Sequence, residues 1–232
     1  MTTIQIIKTT LLAFVALFGM QTIKAAERFV NFNQGDMLLN PQKQVTITTD
    51  EADFKAVDIA VHALAADFGR VTGQDAVLQH QADAKIIVGT IGHSKFIDQL
   101  AKKKLIDATQ LKGKREKFII TTVGKQLIIA GSDRRGTVYG IYELSAQMGV
   151  SPWYYWADVP TERHEEIYVN QGIYTDGEPA VAYRGIFLND EAPCLSTWIK
   201  NTFGTNYADH HFYERVFELV LRLKGNMMWP AM

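Results

Sequence analysis

The chain is poor in cysteine and has no excess of charge of either sign. Cys194 is its one cysteine in 232 residues, which excludes an internal disulfide. It also lies far from the N-terminus, where a lipoprotein acceptor would stand. Lys and Arg number 24 against 25 Asp and Glu, a formal net charge of −1. That balance points away from nucleic acid and from an anionic membrane surface as partners. The apolar run from Leu11 to Met20 is too short for a bilayer span, which takes ~20 residues. No metal-spaced His/Cys set and no nucleophile elbow appears before residue 175. Gly89-Thr90-Ile91-Gly92 follows a short apolar run but lacks the rest of a G-x-G-x-x-G pattern. It reads as a tight βα turn ahead of a phosphate cradle.

What is present is ordinary globular composition, 47% hydrophobic and 21% charged, enough for one large domain or two small ones. Lys8, the run Leu11 to Met20 and the small residues Ala25-Ala26 have the layout of a secretory signal. Residues 1–26 are therefore expected to be removed, with a mature start near Glu27. The mature protein is expected to be secreted or periplasmic, without membrane contact.

Residues 27–175 read as an α+β domain. Phe29, Val30 and Phe32 form one strand-like run and Val45 with Ile47 another, with a turn at Asn40-Pro41. Asp50 is expected to cap a helix, with Asp53 in its capping box. Phe54, Val57, Val61, Leu64 and Phe68 recur there at steps of three and four. Gly69 and Gly73 are expected to end that helix. Lys85 to Val88 is a short buried strand. Phe118 to Val123 and Gln126 to Ala130 form a hairpin across Gly124-Lys125, glycine supplying the positive φ. Asp133 caps a helix to about Met148, which Gly149 stops. Trp153-Tyr154-Tyr155-Trp156 can stack on sugar rings or pack at a domain junction. Residues 171–179, with Gly172, Asp176-Gly177 and Pro179, read as a linker, and the domain boundary is placed after residue 175.

Residues 176–232 open with a strand, Ala182 to Leu188, that ends in Asn189, Asp190, Glu191 and, two residues on, Pro193. Continuous apolar strands belong to parallel sheets buried on both faces. A polar cluster at the C-terminal end of such a strand is where barrel enzymes keep their chemistry. A loop follows, then a helix from about Phe212 to Lys224. Phe212, Val216, Phe217, Val220 and Leu223 are expected inside, and Glu214, Arg215, Glu218 and Arg222 outside. Asn226 to Trp229 begins a second strand, completing a βαβ unit. The fold class is α/β: an N-terminal α+β domain followed by a βαβ unit, the repeat of a parallel sheet or of a (β/α)8 TIM barrel whose start it would be. A closed barrel takes ~250 residues, so this segment supplies one unit, and the isolated chain is expected to be inactive.

Tyr183-Arg184-Gly185-Ile186-Phe187-Leu188-Asn189-Asp190-Glu191-Ala192-Pro193 and Leu221 through Trp229-Pro230-Ala231-Met232 resemble the start of the barrel in glycoside hydrolase family 115, the xylan α-glucuronidases. Gly131-Ser132-Asp133-Arg134-Arg135-Gly136 through Leu144, with Trp153 to Pro160, resembles that family's hexosaminidase-like N-terminal domain. The resemblance implies an inverting hydrolase. It would release glucuronic acid, or its 4-O-methyl ether, from α-1,2 linkages on glucuronoxylan. It implies no cofactor and no catalytic metal, and leaves a homodimer open for the whole enzyme. Under it, Asp190 and Glu191 are the catalytic candidates, and Asn189, His210 and Trp229 the substrate-binding ones.

The residues themselves refine this. Strand alternation puts Asn189 and Glu191 on the side of Phe187 and Asp190 on that of Leu188. The two carboxylates therefore do not flank one glycosidic bond together. An inverting pair stands ~6.5–9.5 Å apart across the sugar, so its second member is expected from another strand. Loop capping is the alternative for Asn189, Asp190 and Glu191. His210 either bonds substrate or caps its helix. Adjacent His210 and His211 are expected to diverge by about 100°, against a shared metal. Trp229 lines the sugar pocket or packs the barrel top. Arg184, about 20 Å along the strand from Asp190, reads as structural. The alternative function is a non-catalytic carbohydrate-binding or scaffolding module.

Overall fold

The computed structural model describes residues 28–41, 44–189 and 191–230. The signal-like residues 1–26 and the candidate Asp190 lie outside them. In chain order the first strands are β1 (Val30–Asn31), β2 (Met37–Leu38), β3 (Thr46–Thr48), β4 (Val77–Gln79) and β5 (Ile86–Thr90). Then come β6 (Phe118–Val123), β7 (Gln126–Gly131), β8 (Tyr168–Val169), β9 (Ile173–Tyr174), β10 (Gly185–Leu188) and β11 (Met227–Pro230). The helices are α1 (Lys55–Thr72), α2 (Lys95–Lys102), α3 (Arg134–Gln147), α4 (Cys194–Phe203) and α5 (His210–Arg222).

The main sheet has six strands in the order β4-β3-β5-β7-β6-β9. β3, β4, β5 and β7 run parallel, while β6 is antiparallel to β7 and to β9. β1 and β2 flank β8 in a small antiparallel sheet. Because successive strand residues face opposite ways, β5, β6 and β7 must be apolar throughout to be covered on both sides. Ile86, Val88, Phe118, Ile120, Leu127 and Ile129 pack with residues of α1 and α3. Ile87, Ile119, Ile128 and Ala130 pack with Phe96, Ile97 and Leu111 on the other side. Asp133 caps α3 as expected, its Oδ1 accepting from the Gly136 N–H at 2.8 Å. Gly136 lets this helix lie on the sheet, since a Cβ there would stand 2.3 Å from the Lys117 carbonyl oxygen.

Several local expectations are corrected. Asp50 does not cap α1: its Oδ2 accepts from the Lys95 N–H at 2.7 Å and so caps α2. The parallel neighbours β3 and β5 bring the end of one strand beside the helix that follows the other. Asp53 accepts from the N–H groups of Phe54 and Thr90 at 2.8 and 2.7 Å. Gly69 lies within α1, and Gly73, with φ +88°, ends it alone. The segment read as a linker carries β9, which joins the edge of the main sheet.

In the C-terminal unit, β10 and β11 pair in parallel, with Gly185 opposite Met227 and Leu188 opposite Pro230. The stretch expected as a loop between β10 and α5 holds α4. Its Leu195, Ile199 and Phe203 join Phe212, Val216 and Val220 of α5 in one cluster, against Ile186, Leu188 and Met228. The expected inner face of α5 is also corrected. Phe217 and Leu223 are exposed, whereas Leu219 and Arg222 are buried. Arg222 is buried because α5 docks on the N-terminal domain through it. Its guanidinium donates to both oxygens of Asp67 on α1, at 2.8 and 3.2 Å, and to Glu218 Oε1 at 2.9 Å. Tyr154 donates its hydroxyl hydrogen to Glu218 at 3.0 Å, and Trp156 packs on the α4–α5 cluster. Tyr154 and Trp156 are therefore junction packing, while Trp153 is exposed.

Candidate functional site

The register of β10 and β11 brings Asn189 and Glu191 to the end of the pair where Pro230 closes β11. Alternation sorts the side chains. Ile186, Leu188 and Met228 face the α4–α5 cluster. Phe187 and Trp229, opposite each other in the register, are each 63% exposed on the other face. Their rings meet edge to face, with centroids 6.4 Å apart. The strand expected to be covered on both faces is thus covered on one among the described residues.

Asn189 is exposed, and its Oδ1 accepts from the Glu191 N–H at 3.3 Å. This is the turn-capping role, made by the side chain that was also a substrate candidate. It fixes the backbone at Glu191 and leaves that exposed carboxylate pointing into solvent-accessible space. Trp229 is exposed and does not pack a barrel top among the described residues. Arg184 is structural, as expected: its Nε donates to the Lys224 carbonyl at 2.9 Å and its Nη2 to Glu116 at 2.7 Å.

α5 runs from the C-terminal end of β10 back to the start of β11, so its N-terminus lies at the same end as Asn189 and Glu191. Asp209 is its cap, accepting from the N–H groups of His211 and Phe212 at 3.0 and 3.3 Å. The His211 ring bonds the same carboxylate at 3.2 Å, and chiefly this bond holds Asp209 below the usual carboxylate range. His210 is the first helical residue and is exposed, so the cap belongs to Asp209 and the imidazole of His210 faces solvent. The expected divergence of the two histidines is corrected, because their ring centroids lie 3.8 Å apart. Asp209, His210 and His211 bring one ligand atom each within 4.8 Å of one another. A cation there would take Asp209 from its cap and sit at the positive end of a helix, which disfavours it.

A cleft of about 710 Å³ lies elsewhere, lined by Leu39, Thr46, Lys85 and Gln126 near the starts of β3, β5 and β7. It shares no residue with the strand end. Sequence reasoning missed α4 and the Asp209 cap, although both carried signals. Leu195, Ile199 and Phe203 are spaced by four before Gly204, and Asp209 precedes an apolar periodic run.

Residues 176–232 match the family model described as Glycosyl hydrolase family 115. A solved family GH115 4-O-methyl-alpha-glucuronidase, with specificity for decorated arabinogalactans, is 37% identical, with a TM-score of 0.76 over 85% of this chain. The chain belongs to glycoside hydrolase family 115. This family 115 chain spans 26% of the length of that relative. Residues 35–144 match the model described as Glycosyl hydrolase family 67 N-terminus. A Streptomyces plicatus beta-hexosaminidase mutant in complex with product shares the fold at 13% identity, with a TM-score of 0.53, over 88% of this chain and 33% of its own. The N-acetyl-beta-hexosaminidase of that organism in complex with Thio-NAglucal matches at 12% identity and a TM-score of 0.51, over 89% of this chain and 33% of its own. The N-terminal domain is hexosaminidase-like. No curated protein matches the family 115 chain.

Proposed function

We propose that the chain forms the N-terminal domain and first strand pair of an inverting α-glucuronidase. The substrate is glucuronic acid, or its 4-O-methyl ether, linked α-1,2 on glucuronoxylan. One observation carries the reading. In the segment that matches family 115, a parallel strand pair presents the Asn189–Glu191 turn beside the open Phe187 and Trp229 face.

The chemistry follows from that arrangement. An aromatic face beside amide and carboxylate groups suits a sugar ring with an acidic substituent. Trp229 stacks on the ring, while Asn189 and His210 bond its hydroxyl and carboxylate oxygens. Asp190 or Glu191 carries a proton as general acid or base. Its partner carboxylate stands across the scissile bond, ~6.5–9.5 Å away with a water between, and comes from another barrel strand. The remaining strands of a TIM barrel cover the open face of β10 and β11. Without them the chain by itself binds sugar weakly and does not hydrolyse it. The mature protein works outside the cytoplasm, where the polysaccharide is.

The test is to assay the product of the complete reading frame on glucuronoxylan and, in parallel, on decorated arabinogalactan, the material the solved relative is specific for. Proton NMR should detect the β-anomer of the uronic acid first, from the xylan. First appearance of the α-anomer would refute inversion. Release from arabinogalactan alone would move the substrate to that polymer. Absence of release from both would favour the non-catalytic binding module.

A further inference from the structure

The C-terminal unit is gripped at the starts of its two strands, away from the candidate site. Arg184 immediately precedes β10 and Asn226 immediately precedes β11. The two are tied together: the Arg184 N–H donates to Asn226 Oδ1 at 3.0 Å, and the Asn226 N–H to the Arg184 carbonyl at 2.7 Å. Both side chains then converge on one carboxylate of the N-terminal domain. Glu116 Oε2 accepts from Arg184 Nη2 at 2.7 Å, and its Oε1 from Asn226 Nδ2 at 2.8 Å. Oε1 also accepts from Arg135 Nε of α3 at 2.5 Å.

Glu116 is 2% exposed and is itself immobilised. Its backbone has φ +52°, a left-handed conformation that residues other than glycine seldom adopt. Its N–H donates at 2.8 Å to Oδ2 of Asp133, the residue whose other oxygen caps α3. Tyr139 of α3 adds a further bond, donating its hydroxyl hydrogen to the Gly225 carbonyl at 2.9 Å. The Gly185 position takes no side chain, since a Cβ there would lie 1.8 Å from the Met227 carbonyl oxygen, so a slip that brought Arg184 or Ile186 there would clash. A slip of one residue in either strand would remove Arg184 or Asn226 from the buried carboxylate, and a buried charge tolerates no lost partner.

We propose that Glu116 is a positioning residue for the strand-end site. From the N-terminal domain it sets the register and seat of β10 and β11, and thereby where Asn189, Glu191 and Trp229 stand. The catalytic consequence rests on the glucuronidase reading; the seating of the strands does not. The N-terminal domain is on this account the seat of the first βαβ unit and not a separate sugar-binding module.

Hydrogen exchange of the chain, read by mass spectrometry, tests it with Glu116→Gln and Asn226→Ala. Glutamine keeps the shape of Glu116 but cannot accept both guanidinium groups as a carboxylate does. Amides of residues 185–188 and 227–229 should exchange at least about tenfold faster in both variants, with β5 and β7 unchanged. If Glu116→Gln also loosens β5 and β7, Asn226→Ala, outside the N-terminal domain, decides. Wild-type exchange at both strands in a folded variant overturns the proposal. In the product of the complete reading frame, Glu116→Gln should lower kcat on glucuronoxylan about tenfold and raise KM as well, because the acid–base group and the Asn189 and Trp229 contacts are misplaced together. Loosened strands in a product with no glucuronidase activity would leave the seating intact and refute the functional reading instead. Unloosened strands with wild-type kcat would refute the positioning.

Discussion

Truncating Arg222 to alanine removes the charge on which a buried carboxylate depends. The Arg222 side chain is 2% exposed and that of Asp67 is fully buried. Two hydrogen bonds join them, and Glu218 takes a third. The guanidinium also lies over the rings of Tyr142 and Tyr154, at 4.5 and 5.0 Å. Burial alone would lower the Arg222 pKa, but the Asp67 and Glu218 carboxylates outweigh it and raise it. In the variant Asp67 retains Arg70, at 2.8 Å, and loses the rest of its compensation. Breaking such a pair from one side costs about 3–5 kcal/mol. For a chain of this size that lowers Tm by roughly 6–20 °C. The assay is urea unfolding followed by tryptophan fluorescence, since Trp156 and Trp198 lie 5.4 Å apart in the cluster that Arg222 helps to dock. Arg215→Ala is the internal control. Its bond to Glu218 is exposed, so the loss should stay within about 1 kcal/mol. The double variant Asp67→Leu with Arg222→Leu should recover most of the stability, because neither charge is then buried alone. A loss below about 1 kcal/mol for Arg222→Ala, or no recovery in the double variant, would refute the reasoning.

Three further outcomes are expected. Gly136→Ala should destabilise by about 1–3 kcal/mol or more in the same unfolding assay, because the added carbon meets the Lys117 backbone. Tyr139→Phe should cost about 1–3 kcal/mol by leaving the Gly225 carbonyl without its donor. Acid should weaken the wild type more than Glu116→Gln. Burial would raise the Glu116 pKa, but bonds from Asn226, Arg184 and Arg135 outweigh it and hold it below the usual 4.5. A depressed carboxylate contributes stability above its unfolded pKa and loses it as pH falls through the folded value. Urea midpoints at descending pH, from 7 downward, should therefore converge for the two proteins only below about 4.5; parallel curves would contradict this.

Periodicity and turn chemistry made most of the N-terminal domain legible. The Gly124 hairpin, the Asp133 cap and the βα turn after Val88 are all decided by neighbouring residues. What stayed hidden was long-range. Arg222 follows the charged side of its helix in every local pattern, and only Asp67 on α1 makes that side an interior. Asp50 looks like the cap of the next helix in sequence, yet the parallel pairing of β3 and β5 hands it to α2. Glu116 gave no signal, because its partners come from α3 and from both strand starts. At the site, the strand and its polar end were readable. The exposure of Phe187 and Trp229 was not, since it depends on what packs across the sheet.

The central claim is that the end of β10 carries the chemistry of a glucuronidase. It is tested most directly by kcat/KM on glucuronoxylan for Asp190→Ala and Glu191→Ala in the product of the complete reading frame. At least one variant should fall about 10²-fold or more, as a lost acid, base or positioning group would cause. Both should keep wild-type unfolding midpoints. Near-wild-type turnover in both variants would contradict the claim and remove this strand end from the site.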